Sequence, residues 1–183
     1  QRQMCIRDSI VPSENIAAVL IEPGLAEGGN WIPSGNFIKG IRKICDKHGW
    51  LMIADEVLTG LGRTAEMWGM DHYEVIPDML IVGKNLSGGI APCAGVATRD
   101  EILGNNPSAS SGSTFAGTPA GCAAGLKTLE IYKRDKVIDH AKKLAQIAKL
   151  RMEPWCEKYS IVSETRQLGL LMGISFNLPD SLL

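Results

Sequence analysis

The sequence predicts an α/β fold on a mainly parallel sheet, followed by the start of a small α+β unit at the carboxyl side. Three observations carry that reading. Short apolar runs recur at residues 16–21 (IAAVLI), 50–54 (WLMIA), 79–82 (MLIV) and 93–98 (CAGVAT), the size of buried strands rather than helices. Between the first two lies a segment of helical periodicity, and a strand, helix, strand order joins parallel neighbours through a right-handed crossover. Beyond residue 118, two segments of helical spacing precede one more apolar strand pattern.

Taken in order, residues 1–9 (QRQMCIRDS) have no periodicity and resemble translated adapter sequence; they are expected to be a leader foreign to the fold. The run at 16–21 stops at Glu22-Pro23-Gly24 and opens a glycine-rich loop through Gly28 and Gly29. Residues 35–48 place Phe37, Ile38, Ile41, Ile44 and Cys45 on one stripe with charged residues between, which predicts an amphipathic helix. Ser34 is its expected N-cap and Gly49 its expected left-handed terminator. The run at 50–54 follows and ends at Asp55-Glu56; the run at 79–82 ends at Gly83-Lys84. Residues 119–132 and 136–152 predict helices, and 168–176 (LGLLMGISF) a strand preceded by a turn. The domains expected are 1–9 as leader, 10–134 as a partial large domain, and 135–183 as an interdomain helix and the start of a small carboxyl-terminal domain. The last residues contain no terminating element, which predicts a truncated chain.

Composition narrows the function. The chain has 183 residues, 45% of them hydrophobic, enough for one sizeable core and against disorder. Its 19 basic and 20 acidic residues are interspersed, so charge gives no reason to expect nucleic acid or an anionic membrane as partner. No apolar run approaches the roughly 20 residues of a bilayer crossing, which makes a cytoplasmic protein the expectation. Five cysteines, widely spaced and without a CxxC pair, point to reduced and mostly buried thiols rather than disulfides or zinc. The three histidines, His48, His72 and His140, lack metal-like spacing and are read as structural or exposed.

In doubly wound sheets, ligands collect outside the carboxyl ends of the strands. Asp55 and Lys84 both stand there. A lysine can form an imine with a carbonyl, and a carboxylate can hold a pyridine nitrogen protonated; together they suit amine chemistry on a heterocyclic cofactor. Alone the pair is weak, because an Asp after a strand is common as a cap. The surrounding pattern is more specific: Asp55-Glu56-Val57-Leu58-Thr59-Gly60-Leu61-Gly62-Arg63-Thr64, then Pro77-Asp78, then Gly83-Lys84-Asn85-Leu86-Ser87-Gly88-Gly89.

This pattern resembles the class III aminotransferases, a fold type I family dependent on pyridoxal 5′-phosphate (PLP). The likeness extends through Glu22-Pro23 and Glu27-Gly28-Gly29 upstream and residues 113–119 (STFAGTP) downstream. It implies that Asp55 pairs with the cofactor's pyridinium nitrogen, that Val57 packs on the ring, and that Lys84 forms the imine and carries the proton. It implies too that Thr114 donates to the cofactor phosphate across a homodimer interface, and that Glu27 acts as a gate between amino donor and oxo acid. Arg63 is expected to stabilise the loop after Asp55, and Arg166, in an element similar to RGxGL, to be structural. No metal is implied.

Departures from the family pattern bear on tuning. Leu58 replaces a glutamine that contacts the cofactor's O3′ in many members; Asn85, Ser87, Ala65 and Gln167 replace glycines, in positions read as loops. The resemblance implies transfer of an amino group from an ω-amino compound (4-aminobutyrate, a diamine or a β-amino acid) to pyruvate or 2-oxoglutarate. The alternatives are a PLP-dependent aminomutase and a non-catalytic α/β binding domain. No GxGxxG or GxxxxGK[ST] follows the first strand, which weakens a phosphate-loop version of the last. The family's main phosphate loop and its carboxylate-binding arginine fall outside the matched stretch, so the isolated chain is expected to bind PLP weakly and turn over little.

Overall fold

This computed structural model of the chain describes residues 12–103 and 117–177. Its first four strands, β1 (Ala18–Ile21), β2 (Leu51–Asp55), β3 (Met79–Val82) and β4 (Gly95–Thr98), form one sheet in that spatial order. β1, β2 and β3 run parallel, and β4 returns antiparallel to β3. The direction of β4 could not be read from its apolar run, because a short local pattern is the same for either orientation. The sheet is mainly parallel, as predicted, within the mixed α/β fold type I architecture.

Helix α1 (Gly35–His48) makes the crossover from β1 to β2. Its ends are set by the two predicted residues: Ser34 accepts from the Phe37 amide at 3.2 Å, and Gly49 takes φ 70°, where a Cβ would strain the backbone. The helix buries Ile38, Ile41 and Cys45 against Met52 and Ala54 of β2 and against Met70 and Tyr73. Alternation along β2 therefore turns Leu51, Ile53 and Asp55 to the opposite face. That face is open on β1, where Leu20 is 61% exposed.

Short helix α2 (Asp100–Leu103) follows β4; helices α3 (Pro119–Arg134), α4 (Val137–Met152) and α5 (Trp155–Lys158) follow in turn. α3 packs across the 3-10 turn Lys84–Ser87, where close approach requires small residues. A Cβ on Gly121 would stand 2.9 Å from the Pro92 carbonyl oxygen. The chain then forms an antiparallel hairpin, β5 (Val162–Leu168) and β6 (Leu171–Phe176), turning at Gly169 with φ 62°.

The hairpin corrects the prediction of a single strand preceded by a turn. The turn lies inside the predicted span, and β5 precedes it with the sequence VSETRQL, too polar to show an apolar alternation. Gln167, expected in a loop, is therefore a strand residue; its amide donates to the Ala145 oxygen at 2.7 Å and the Gly169 oxygen at 2.8 Å. The cysteines also differ from expectation. Of the four within the described residues only Cys45 is buried, Cys93 is half-buried, and Cys122 and Cys156 lie on exposed helix faces.

Candidate active site

Asp55 closes β2 opposite Ile81 of β3, and the ladder continues one step further, with the Glu56 amide donating to the Ile81 oxygen at 2.9 Å. One carboxylate oxygen of Asp55, Oδ1, accepts from the Val57 amide at 3.0 Å. That turn leaves Oδ2 without a protein partner among the described residues. Val57 in turn lies against Gly83: a Cβ there would sit 3.4 Å from Val57 Cγ1, at van der Waals contact. The neighbours of Asp55 and of Lys84 thus touch at the ends of two adjacent parallel strands.

Lys84 is exposed and opens the turn Lys84–Ser87 with φ 41°, a left-handed conformation that side chains other than glycine seldom adopt. Such strain persists only where surrounding contacts hold it, and it gathers at functional sites. The holders are visible. Arg63 Nη2 donates to Asn85 Oδ1 at 3.3 Å, Ser87 Oγ donates to the Ala91 oxygen, and Gly88 ends the turn at φ 62°. Two of the residues that replace family glycines, Asn85 and Ser87, therefore brace the lysine's turn. Arg63 bridges the segments after Asp55 and Lys84, the stabilising role expected of it.

Glu56 is the functional residue that reading the sequence missed. It points away from Asp55 and is 2% exposed, accepting from Thr59 Oγ1 at 2.5 Å and from the Gly69 and Met70 amides at 2.8 Å each. Burial pushes its carboxyl up, and the three donors only partly offset that. The effect is to pin the segment after Asp55 onto the 3-10 turn Gly69–Tyr73. Gly69 is required there, since a Cβ would stand 2.8 Å from Pro23 Cβ and 3.1 Å from Glu56 Oε2. Tyr73 completes the tie by donating to the Pro23 oxygen at 2.7 Å, and burial with the nearby Glu56 charge pushes its hydroxyl up to about 12. The only sequence signal was the acidic pair itself: consecutive residues leaving a strand face opposite sides, so one of the two had to turn inward.

Glu27 is exposed on a loop whose stem is the Leu25–Trp31 backbone pair, with Leu25 N donating to the Trp31 oxygen at 2.8 Å and Trp31 N to the Leu25 oxygen at 3.1 Å. A cavity of about 610 Å³ lies between this loop, β1 and α1, lined by Leu20, Leu25, Trp31 and Phe37, with Asp55 and Glu22 as its acidic groups. Thr114 lies outside the described residues. His48 stacks on Trp50 at 4.7 Å, the His72 ring nitrogen lies 2.8 Å from the Thr64 oxygen, and His140 is exposed on α4. Among the described residues no group of His, Cys, Asp and Glu could hold a metal, and no helix is long and apolar enough to cross a membrane.

Residues 5–181 match the family described as aminotransferase class-III, and the chain belongs to that family. It is 39% identical over 164 residues to an uncharacterized aminotransferase of Archaeoglobus fulgidus, covering 88% of this chain and 38% of the relative. It is 34% identical over 166 residues to a probable 4-aminobutyrate aminotransferase of Bacillus subtilis, covering 91% of this chain and 38% of that protein. Among solved structures, it superposes with a TM-score of 0.89 and 30% identity on taurine:2-oxoglutarate aminotransferase from Bifidobacterium kashiwanohense, in complex with PLP and glutamate. That likeness covers 96% of this chain and 40% of the other. The chain thus spans about 38% of the length of these curated relatives.

Proposed function

We propose that the protein transfers an amino group from an ω-amino compound to a 2-oxo acid with bound pyridoxal 5′-phosphate, and that Lys84 and Asp55 are its catalytic residues. The observation that carries this reading is the placement, at the ends of adjacent parallel strands, of a carboxylate oxygen with no partner among the described residues and a strained, exposed lysine. The donor set suits the cofactor. An acceptor-only carboxylate matches a protonated ring nitrogen, and a primary amine matches an aldehyde. When bound, PLP supplies an electron sink for the negative charge left at the substrate's Cα.

The chain's own residues do the rest. Asp55 would hold the cofactor's ring nitrogen protonated through a charge-assisted hydrogen bond, and Val57 would help hold the ring. Lys84 would bind the cofactor between turnovers and carry the proton to and from the substrate's Cα. Thr114 would serve the cofactor phosphate across a homodimer interface, and Glu27 would gate the two substrates. On this reading residues 10–134 are part of the cofactor domain, and residues 135–183 an interdomain helix with the start of a small domain. The relatives named above support an amino donor with its amino group distant from its acid group, as in 4-aminobutyrate and taurine.

Borohydride reduction of the PLP-loaded full-length enzyme, followed by peptide mapping, tests the assignment. The pyridoxyl mass is expected on Lys84, and Lys84→Ala is expected to lose the label, the visible absorbance and transamination together. A labelled Lys84→Ala protein would remove Lys84 from the reaction.

A further inference from the structure

The tip of the loop that displays Glu27 stands in solvent. Glu27, Gly28 and Gly29 are all exposed, and beyond the Leu25–Trp31 stem its internal bonds are the Gly29 and Asn30 amides donating to the Ala26 oxygen at 3.0 and 3.2 Å. Gly29 at φ 91° and Asn30 at φ 56° make the turn, and Leu25 and Trp31 pack beneath Gly28, where a Cβ would stand 2.7 Å from Leu25 Cδ2. Besides a local bond from the Ala26 amide to Glu22 Oε2 at 3.2 Å, the loop's fastening comes from the β5–β6 hairpin. Arg166 donates to the Gly29 oxygen through Nη2 at 2.9 Å and Nε at 3.2 Å, and its guanidinium lies 4.5 Å from the Trp31 ring centre. The Asn30 side chain donates through Nδ2 to the Met172 oxygen at 2.6 Å, and Gly173 leaves the space that Gly29 fills, since a Cβ there would be 2.6 Å from the Gly29 oxygen.

Arg166 is itself immobilised. Its side chain is 9% exposed, and Nη1 donates to Glu164 and to Ser175 Oγ at 2.9 Å. A planar fork that bonds its own hairpin on one edge and the loop on the other cannot be reproduced by a lysine's single ammonium. We propose that Arg166 is a positioning residue of the substrate gate: from the hairpin it sets where the Glu27 loop stands, and thereby how strongly the enzyme distinguishes amino donor from oxo acid. This rests on the reading of Glu27 as the gate. The loop carrying Glu27 ends two residues from the carbonyl that Arg166 grips, so release of that carbonyl frees the tip while Asp55 and Lys84 keep their own contacts.

The test uses the full-length holoenzyme and measures kcat/KM separately for the amino donor and for the oxo acid. Arg166→Met is expected to shift the ratio of the two by about tenfold, the scale of ordinary coupling between sites, with Arg166→Lys recovering only part of it. Hydrogen exchange of the amides of residues 25–31 should rise in Arg166→Met while that of residues 55–57 stays unchanged. Asn30→Ala, which removes the loop's other hairpin bond, should move the ratio in the same direction and serves if Arg166→Met does not fold. Glu27→Gln separates the two ideas. If it alters the ratio while neither Arg166→Met nor Asn30→Ala does, the positioning role is overturned and the gate stands. If Glu27→Gln leaves the ratio unchanged, the gate reading falls and this proposal falls with it. Unaltered exchange at residues 25–31 in Arg166→Met would also overturn it.

Discussion

Two loops leave the carboxyl ends of adjacent parallel strands, one after β2 and one after β1, and they differ in what secures them nearest the strand end. The loop after Asp55 starts from a buried local anchor: Glu56 reaches Thr59, Gly69 and Met70, all within 14 residues of it and all shielded from water, with Tyr132 and Leu170 bonding the backbone further along. The loop bearing Glu27 is held from outside, by Arg166 acting across 137 residues. Bonds buried in low dielectric with every partner satisfied fix one geometry. Bonds between an exposed loop and a distant hairpin allow that loop to be placed, and replaced, without disturbing the first. Groups that must meet a cofactor at fixed geometry belong on the first kind of loop, and a group that must respond to alternating substrates belongs on the second.

The hairpin touches both loops, which offers the sharpest way to break the contrast. Its turn rests on the inner loop, with the Leu170 amide donating to the Arg63 oxygen at 2.9 Å. A Cβ on Gly169 would be driven into the Thr64 carbonyl group and to 2.5 Å from the Ala65 nitrogen, at a φ of 62°. Gly169→Ala is therefore expected to lift the turn away and lower stability by roughly 3 kcal/mol or more, the sum of a backbone clash and left-handed strain. Urea denaturation measures it. A near-neutral result would mean the hairpin does not bear on the inner loop, and the two anchorages would be independent after all.

The inner anchorage is tested by Glu56→Gln. One carboxylate oxygen becomes an NH₂ that must face a backbone N–H, so a buried donor loses its acceptor, at about 1–3 kcal/mol. The pH dependence carries a definite sign. Burial raises the Glu56 carboxyl above its usual 4.5 in the fold, so the folded state binds its proton more tightly than the unfolded chain. Its favourable contribution is full below 4.5 and is lost as pH rises through the folded value. Glu56→Gln should flatten that decline, and a stability curve of unchanged slope would show that the carboxyl does not titrate in this way.

The same contrast explains what the sequence could and could not tell. Ser34, Gly49 and the MLIV strand were legible because caps and short buried strands are written in adjacent residues. That Asp55 and Lys84 stand at strand ends was legible because each follows a short apolar run. Glu56 was not, since burying a carboxylate depends on amides 13 and 14 residues on that nothing in its own neighbourhood announces. The outer anchorage was less legible still. Arg166 sits in a strand too polar to be seen as one, and its partner is a backbone oxygen, which has no sequence signature at all. Local rules therefore reached the elements written in adjacent residues and missed the contacts made between distant ones.

Asp78 supplies the smallest effect and the control for both anchorages, because it lies at the start of β3, at the opposite end from Lys84. It accepts from Arg42 at 2.7 Å, Arg99 at 2.9 Å and the Met52 amide at 2.8 Å. Desolvation pushes its carboxyl up, but these donors and the Arg42 charge outweigh it and hold the group below its usual 3.8. A depressed carboxylate contributes stability above its unfolded value and loses it as pH falls through the folded one, so the loss should begin below about pH 4. Asp78→Asn is expected to weaken the fold by about 1–2 kcal/mol at neutral pH and to make acid unfolding less steep. The full-length variant should keep the donor-to-oxo-acid ratio of the parent enzyme. A ratio that moved with Asp78 would mean that any loss of stability shifts it, and the separation between holding the fold and placing the gate could not be maintained.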